Sequence, residues 1–158
     1  MVQRIGFGYD VHRLEKGLPF RLGGVSIPYS MGAKGHSDAD VLIHAICDAL
    51  LGAAALGDIG THFPDDQQEY KGINSLLLLE KSISLLTDKG FRIGNIDATI
   101  CLQQPKIQPY IDDMRYALSM AMGIDKDQVS VKATTEERLG FTGRKEGVSA
   151  YAVALIWK

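Results

Sequence analysis

Apolar residues recur along the chain with two different periods, and the periods divide it into strands and helices. Residues 3–13 read as a strand, although Gly6 and Gly8 lower its propensity. Residues 20–29 read as a short hairpin turning at Gly23-Gly24, with Pro28 near its end. From Ser37 to about Leu56, Val41, Leu42, Ala45, Ile46, Ala49 and Leu50 follow helical spacing. Ser37 followed by Asp40 is a capping-box-like start, and Asp38 suits the positive end of a helix. Gly57 to about Ile73 is a loop rich in Gly, Asp and Pro. Asn74 or Ser75 then caps a helix carrying Leu76, Leu79, Ile83 and Leu86, which ends at Gly90. A strand over 91–102 is broken by Pro105, and a helix over 109–122 is closed by Gly123. Strands at 129–133 and 148–157 complete a β-β-β-α-α-β-α-β-β order.

This order predicts an α+β domain in two layers, one mixed sheet with helices on one face. In the last strand Val148, Ala150, Ala152 and Ala154 share one face, while Tyr151, Val153, Leu155 and Trp157 share the other. Both faces are apolar, so both are expected to be buried, one of them against other subunits.

The 158 residues suit a single domain over 1–158, with no repeat, linker or low-complexity run. A net charge of −2 without a basic run speaks against nucleic-acid binding. No apolar run reaches the roughly 18 residues of a membrane span. Met-Val-Gln-Arg-Ile-Gly lacks the apolar region of a signal peptide and enters a strand at once, and the expected location is cytoplasmic. A plastid-type organelle would require a transit peptide ahead of these residues. Cys47 and Cys101 have no CxxC partner and read as small buried hydrophobes in a reducing compartment.

The candidate chemistry begins at Asp10-Val11-His12, whose two polar side chains share a strand face. His44 on the first helix can join them. One carboxylate and two imidazoles make a three-ligand zinc site with its fourth position open, the pattern of catalytic rather than structural zinc. Taken singly, Asp-x-His is a polar strand end and His44 a satisfied core histidine. Asp48, one turn beyond His44, is the expected partner of its second nitrogen. His36 and Ser37 precede the helix, where unpaired amides favour an anion such as phosphate; the plainer reading is a loop residue and a cap. Asp58 and Asp65, in the stretches Gly57–Gly60 and Phe63–Asp66, are suited to sugar hydroxyls. After the strand at 129–133, Thr134 and Thr135 offer hydroxyls to a phosphoryl oxygen, a carboxylate of Glu136 or Glu137 can hold a hard cation, and Arg144 can neutralise phosphate. Glu136 and Glu137 cannot both face one site in an extended chain. Gly6-Phe7-Gly8 is no dinucleotide fingerprint, and no P-loop is present.

Together, the DVH at 10–12, HSDAD…H at 36–44, DALLGAAALGDIG at 48–60, FPD at 63–65 and KATTEERLGFTGR at 132–144 resemble 2-C-methyl-D-erythritol 2,4-cyclodiphosphate synthases over nearly the whole chain. The resemblance implies a lyase of the non-mevalonate isoprenoid pathway, a homotrimer with each active site shared between subunits. Its substrate is 4-diphosphocytidyl-2-C-methyl-D-erythritol 2-phosphate, which is converted to the cyclic diphosphate and CMP. By the same resemblance Asp10, His12 and His44 are zinc ligands, His36 and Thr135 position the reacting phosphates, and Ser37 is a substrate contact. Glu137 holds Mg²⁺ or Mn²⁺ between the phosphates. The erythritol lies against Asp58, Ile59, Gly60, Phe63, Pro64, Asp65, Asp66 and Gln67. The cytidine lies against Leu102, Gln103, Gln104, Pro105, Lys106, Ile107 and Gln108. Thr134, Glu136, Phe141 and Arg144 supply further contacts. The family's run has three threonines before this glutamate; Glu136 replaces the third and would place an extra charge beside the second metal. A zinc phosphohydrolase uses the same metals and is separated by its products; a trimeric small-molecule binding protein with a structural metal is separated by a closed four-ligand zinc site or by tight binding without turnover.

Overall fold

A computed structural model describes residues 1–158. In chain order the elements are β1 (Gln3–Lys16), β2 (Arg21–Leu22), β3 (Val25–Ser26), β4 (Met31–Lys34), α1 (Val41–Ala53), α2 (Ile59–His62), α3 (Ser75–Asp88), β5 (Arg92–Cys101), α4 (Ile111–Met122), β6 (Val129–Thr134), α5 (Gly140–Gly143) and β7 (Gly147–Trp157). Single 3₁₀ turns lie at Gln68–Tyr70, Gln108–Tyr110 and Lys126–Gln128. The main sheet has the order β4-β1-β7-β5-β6, with only the β5–β6 pair parallel, so it is mixed as expected.

The two glycines that weaken β1 as a strand explain how the layers meet. A Cβ at Gly6 would lie 1.8 Å from the Ala49 carbonyl oxygen, and one at Gly8 would lie 1.8 Å from that of Ala45. The backbone of α1 therefore rests directly on β1, and only glycine fits beneath it. α1 is buried all round except at Asp48 and Gly52, because α3 packs on it from the other side. Leu42, Ile46, Leu50, Leu79, Ile96, Ile100 and Met114 are among the fully buried side chains of the single core. Cys47 and Cys101 are buried within these layers, and burial pushes the Cys47 thiol up to about 12, so it is an inert packing residue.

Several local expectations change. The first helix begins at Val41, not Ser37. Its N-cap is Asp40, which accepts from the Ile43 amide at 3.1 Å, and Ala39 at φ 57° turns the chain away from Ser37. The anion site expected at Ser37 on the helix N-terminus is thus absent: the protein's own Asp40 carboxylate fills that end. The Gly23-Gly24 turn has positive φ at both residues, as a two-residue hairpin turn of this hand requires. It aims its amides at the same carboxylate, at 2.9 and 2.8 Å. β1 runs on to Lys16 because it pairs with β4, a strand that apolar alternation does not mark. The loop expected at 57–73 contains the helical turn α2, and the segment between the last two strands contains α5.

The sheet face away from the helices is uncovered in a single chain. It carries Ile5, Phe7, Tyr9 and Val11 from β1 with Tyr151 and Val153 from β7, and Ile5 and Phe7 are 73% and 63% exposed. No helix is long and apolar enough to cross a membrane.

Candidate active site

Strand alternation and the glycine contact bring three predicted ligands together. Asp10 and His12 follow Gly6 and Gly8 on the inward face of β1, and His44 stands on α1 just before Ala45. Asp10 Oδ2 lies 2.9 Å from His12 Nε2 and 3.0 Å from His44 Nδ1, and the two nitrogens are 3.2 Å apart. One carboxylate and two imidazoles converging this closely repel one another unless a proton or metal cation sits among them. Burial works to raise the Asp10 carboxyl, but the hydrogen bonds and charge of both imidazoles outweigh it and bring it down to about 2. Burial opposes the His44 imidazolium, and the Asp10 hydrogen bond and charge more than compensate, raising it. Both shifts report a place that favours positive charge. The residues fit a divalent metal.

The second nitrogen of His44 does not meet Asp48. Helical side chains lean toward the helix N-terminus, so the ring reaches back rather than one turn onward. His44 Nε2 lies 3.0 Å from Ser75 Oγ and 3.1 Å from Ser37 Oγ. Asp48 instead accepts from the Ile59 amide at 2.8 Å and fastens α2 to α1. Ser75, at the start of α3, hydrogen-bonds Asp38 through both its hydroxyl and its amide.

Two cavities hold most of the remaining candidates. The first, about 270 Å³, is lined by Asp10, His12, His36, Ser37, His44, Ile59, Gly60, Phe63 and Asp65, together with Tyr70 and Leu78. His36 Nε2 is engaged by the Gln67 carbonyl at 3.0 Å, which leaves Nδ1 for a ligand. Asp58 does not line it: its carboxylate caps α2, taking the Thr61 amide and hydroxyl at 2.9 Å each. Pro64 and Asp66 do not line it either, and Gln67 acts only through its carbonyl. The second cavity, about 760 Å³, is formed by Leu102, Gln103, Gln104, Pro105, Lys106, Ile107 and Gln108 with Ile111 and Lys132–Thr135. The two cavities share no residue.

Residues 3–157 match the YgbB family. The chain belongs to this family. It is 59% identical to the 2-C-methyl-D-erythritol 2,4-cyclodiphosphate synthase of Porphyromonas gingivalis, across 97% of this chain and 94% of that one. Among solved structures it resembles a 2C-methyl-D-erythritol-2,4-cyclodiphosphate synthase in a CDP-bound form, with TM-score 0.90, 37% identity and coverage of 98% and 100%. It also resembles the bifunctional IspDF of Campylobacter jejuni, with TM-score 0.95 and 40% identity, covering 98% of this chain and 42% of that longer one.

In this YgbB-family chain the segment after β6 departs from the extended form expected of it. Glu137 and Arg138 have φ of 53° and 65°, and the Arg138 amide is held by Gln103 Oε1 at 3.1 Å. Glu136 consequently turns toward Tyr9 and Tyr151 on the uncovered sheet face, away from the cavity of Thr134 and Thr135. Glu137 stays on the exposed turn. Phe141 lies against Gly147 and lines shallow hollows on either side of itself, and Arg144 is paired with Glu146 at 3.0 Å. Neither Phe141 nor Arg144 reaches the Asp10–His12–His44 cavity within one chain. Sequence reasoning passed over Tyr70, whose ring packs edge-on against Phe63 at 5.6 Å. An aromatic pair seven residues apart in an otherwise polar loop was the available signal.

Proposed function

We propose that the chain converts 4-diphosphocytidyl-2-C-methyl-D-erythritol 2-phosphate into 2-C-methyl-D-erythritol 2,4-cyclodiphosphate and CMP. An oxygen of the 2-phosphate bonds to the β-phosphorus, and the bond from that phosphorus to the oxygen bridging to the α-phosphate breaks. CMP leaves with the electron pair. The observation that carries this reading is the convergence of Asp10, His12 and His44 in a cavity, in a chain 59% identical to a synthase along 97% of its length.

Zinc is the cation we assign to the trio. Asp10, His12 and His44 would hold it: their ligand atoms already lie 2.9–3.2 Å apart, and one carboxylate with two imidazoles is a donor set that suits zinc. Zinc bound there supplies Lewis-acid polarisation and charge neutralisation at a phosphoryl oxygen. Glu137 is assigned to a second cation, Mg²⁺ or Mn²⁺, shared with the substrate phosphates. The protein needs no nucleophile and no general base, since a phosphate oxygen is already ionised at neutral pH. What it contributes is alignment of two groups on one molecule, which can be worth up to about 7–11 kcal/mol.

Of the two threonines, Thr135 is the one free to donate. The Thr134 hydroxyl donates to the Thr135 carbonyl at 3.0 Å, whereas the Thr135 hydroxyl oxygen accepts from the Glu137 amide at 3.3 Å and keeps its hydrogen. Thr135→Ala is expected to lower kcat by about 2–4 kcal/mol of transition-state stabilisation with the fold unchanged. Single-turnover rates check this, and a wild-type rate would remove Thr135 from the reaction.

The site is assembled between subunits of a homotrimer in this reading. A cavity of about 270 Å³ falls below the usual 300–1,000 Å³ of a ligand site and accommodates only part of a nucleotide-linked substrate. The cytidine end is assigned to the separate cavity at Leu102–Gln108, from a neighbouring chain. The uncovered apolar sheet face supplies the contact. We place the enzyme in the bacterial cytoplasm, after its bacterial relatives. Incubation with the cytidylylated substrate, zinc and magnesium, followed by phosphorus NMR, tests the function. Cyclic diphosphate with CMP is the expected result. Linear hydrolysis products would make it a phosphohydrolase, and tight binding without turnover a binding protein.

A further inference from the structure

We propose that Ser75 and Asp38 are positioning residues that lock the His44 proton on Nε2 and thereby keep Nδ1 open for a cation. This rests on the reading of Asp10, His12 and His44 as metal ligands.

The argument is one of hydrogen-bond polarity. Ser75 is fully buried at the first position of α3. Its hydroxyl donates to Asp38 Oδ1 at 2.5 Å and its amide donates to Asp38 Oδ2 at 3.0 Å. A carboxylate has no hydrogen to return, so Ser75 commits its only hydroxyl hydrogen to Asp38. Toward His44 Nε2, 3.0 Å away, Ser75 Oγ can then offer only a lone pair. Ser37 Oγ, the other group near Nε2, accepts the Ala39 amide at 3.2 Å and keeps its own hydrogen, so it can face either state of Nε2. The fully buried Ser75 lone pair decides between them: 3.0 Å from Nε2, it is satisfied only when that nitrogen carries the hydrogen. In a neutral imidazole the lone pair is then on Nδ1, the atom facing Asp10 and His12. Arg21 completes the arrangement. Its Nε is buried without a hydrogen-bond partner and lies 3.5 Å from Asp38 Oδ2, where its charge favours the ionised carboxylate. The chain of groups thus runs from Arg21 on β2 through Asp38 and Ser75 to His44 on α1.

Two substitutions separate this role from simple packing. Ser75→Ala removes the acceptor, and zinc affinity of the folded, metal-stripped protein should fall 10–100-fold, as for other outer partners of metal-bound histidines. Asp38→Asn is nearly isosteric but reverses the polarity. An NH₂ group at the Oδ1 position gives up the Asp40 amide at 3.2 Å, whereas at the Oδ2 position it gives up the Ser75 amide at 3.0 Å and meets the Arg21 cation, so it faces Ser75 Oγ. The hydroxyl is then released to donate to His44 Nε2, and the imidazole hydrogen moves to Nδ1, where it competes with the metal. Zinc affinity, read by competition with a chromophoric chelator, should fall at least as far as in Ser75→Ala. Nitrogen-15 NMR of the metal-free protein with a neutral imidazole should show the His44 hydrogen on Nε2 in the wild type and on Nδ1 in Asp38→Asn. A merely structural role would lower the thermal midpoint of both variants while leaving zinc affinity within twofold and the tautomer unchanged. That result, beside a wild type that binds zinc tightly, would overturn this inference alone. A wild type that binds no zinc would overturn the metal reading and this inference with it.

Discussion

His44→Ala is expected to abolish turnover and empty the zinc site while leaving the fold in place. The imidazole is one of the three proposed ligands, and the other two, Asp10 and His12, are neighbours on one strand that offer too few donors to hold a catalytic zinc by themselves. Metal-based polarisation of a phosphoryl group is worth several kcal/mol, and each 1.4 kcal/mol is about tenfold in rate, so the loss should be on the order of a thousandfold or more. The structural cost is smaller. Ser75 retains Asp38 as a partner, Asp10 retains His12 at 2.9 Å, and the lost hydrogen bonds amount to about 1–3 kcal/mol. Zinc content by mass spectrometry, turnover, and circular dichroism on one preparation distinguish the two losses. A folded variant with bound zinc and wild-type turnover would remove His44 from the ligand set.

The outcome at His44 bears on what the sequence could reveal. The trio was legible because each part obeys a local rule: alternation on a strand puts Asp10 beside His12, and helical spacing puts His44 on α1, whereas Gly6 and Gly8 read only as weakening the strand. The long apolar period of α1 and the glycine-closed end of α4 were legible for the same reason. The start of α1 was not, because Ser37, Asp38 and Asp40 are all competent caps, and the choice among them was made by the Gly23 and Gly24 amides, which need Asp40. The partner of His44 was misassigned to Asp48 because helical spacing shows which residues are neighbours but not which way a ring leans. Its actual partner, Ser75, lies 31 residues away and carries only a capping signal in the sequence. The turn after β6 was read as extended, since nothing local marks Glu137 and Arg138 as left-handed. A side chain 35 residues upstream, Gln103, holds them there.

Phe7→Glu should separate the two halves of the active site without touching either. Phe7 is 63% exposed at the middle of the uncovered face, flanked by Ile5 and Tyr9 on its strand and by Tyr151 beside it at a ring distance of 6.3 Å. If this face is the trimer contact, the substitution buries a carboxylate there in every subunit. Arg13, the arginine of β1 on that face, stands six residues along the strand from Phe7, about 20 Å away and too far to neutralise it. The effective penalty of a buried unpaired ion is several kcal/mol, and it is incurred three times in one assembly, where like charges also repel. The expected species in sedimentation is a folded monomer. It keeps its zinc, because Asp10, His12, His44 and Ser75 all belong to one chain and face the opposite side of the sheet. It should lose turnover, because the cavity of Leu102–Gln108 and Thr135 shares no residue with the cavity of Asp10, His12 and His44, and in the proposed assembly a neighbour brings the two together. Retained metal with lost activity is a signature that neither ligand removal nor global unfolding can give. A monomer with full turnover would show instead that one chain holds a complete site, and a stable trimer carrying the substitution would move the contact to another surface.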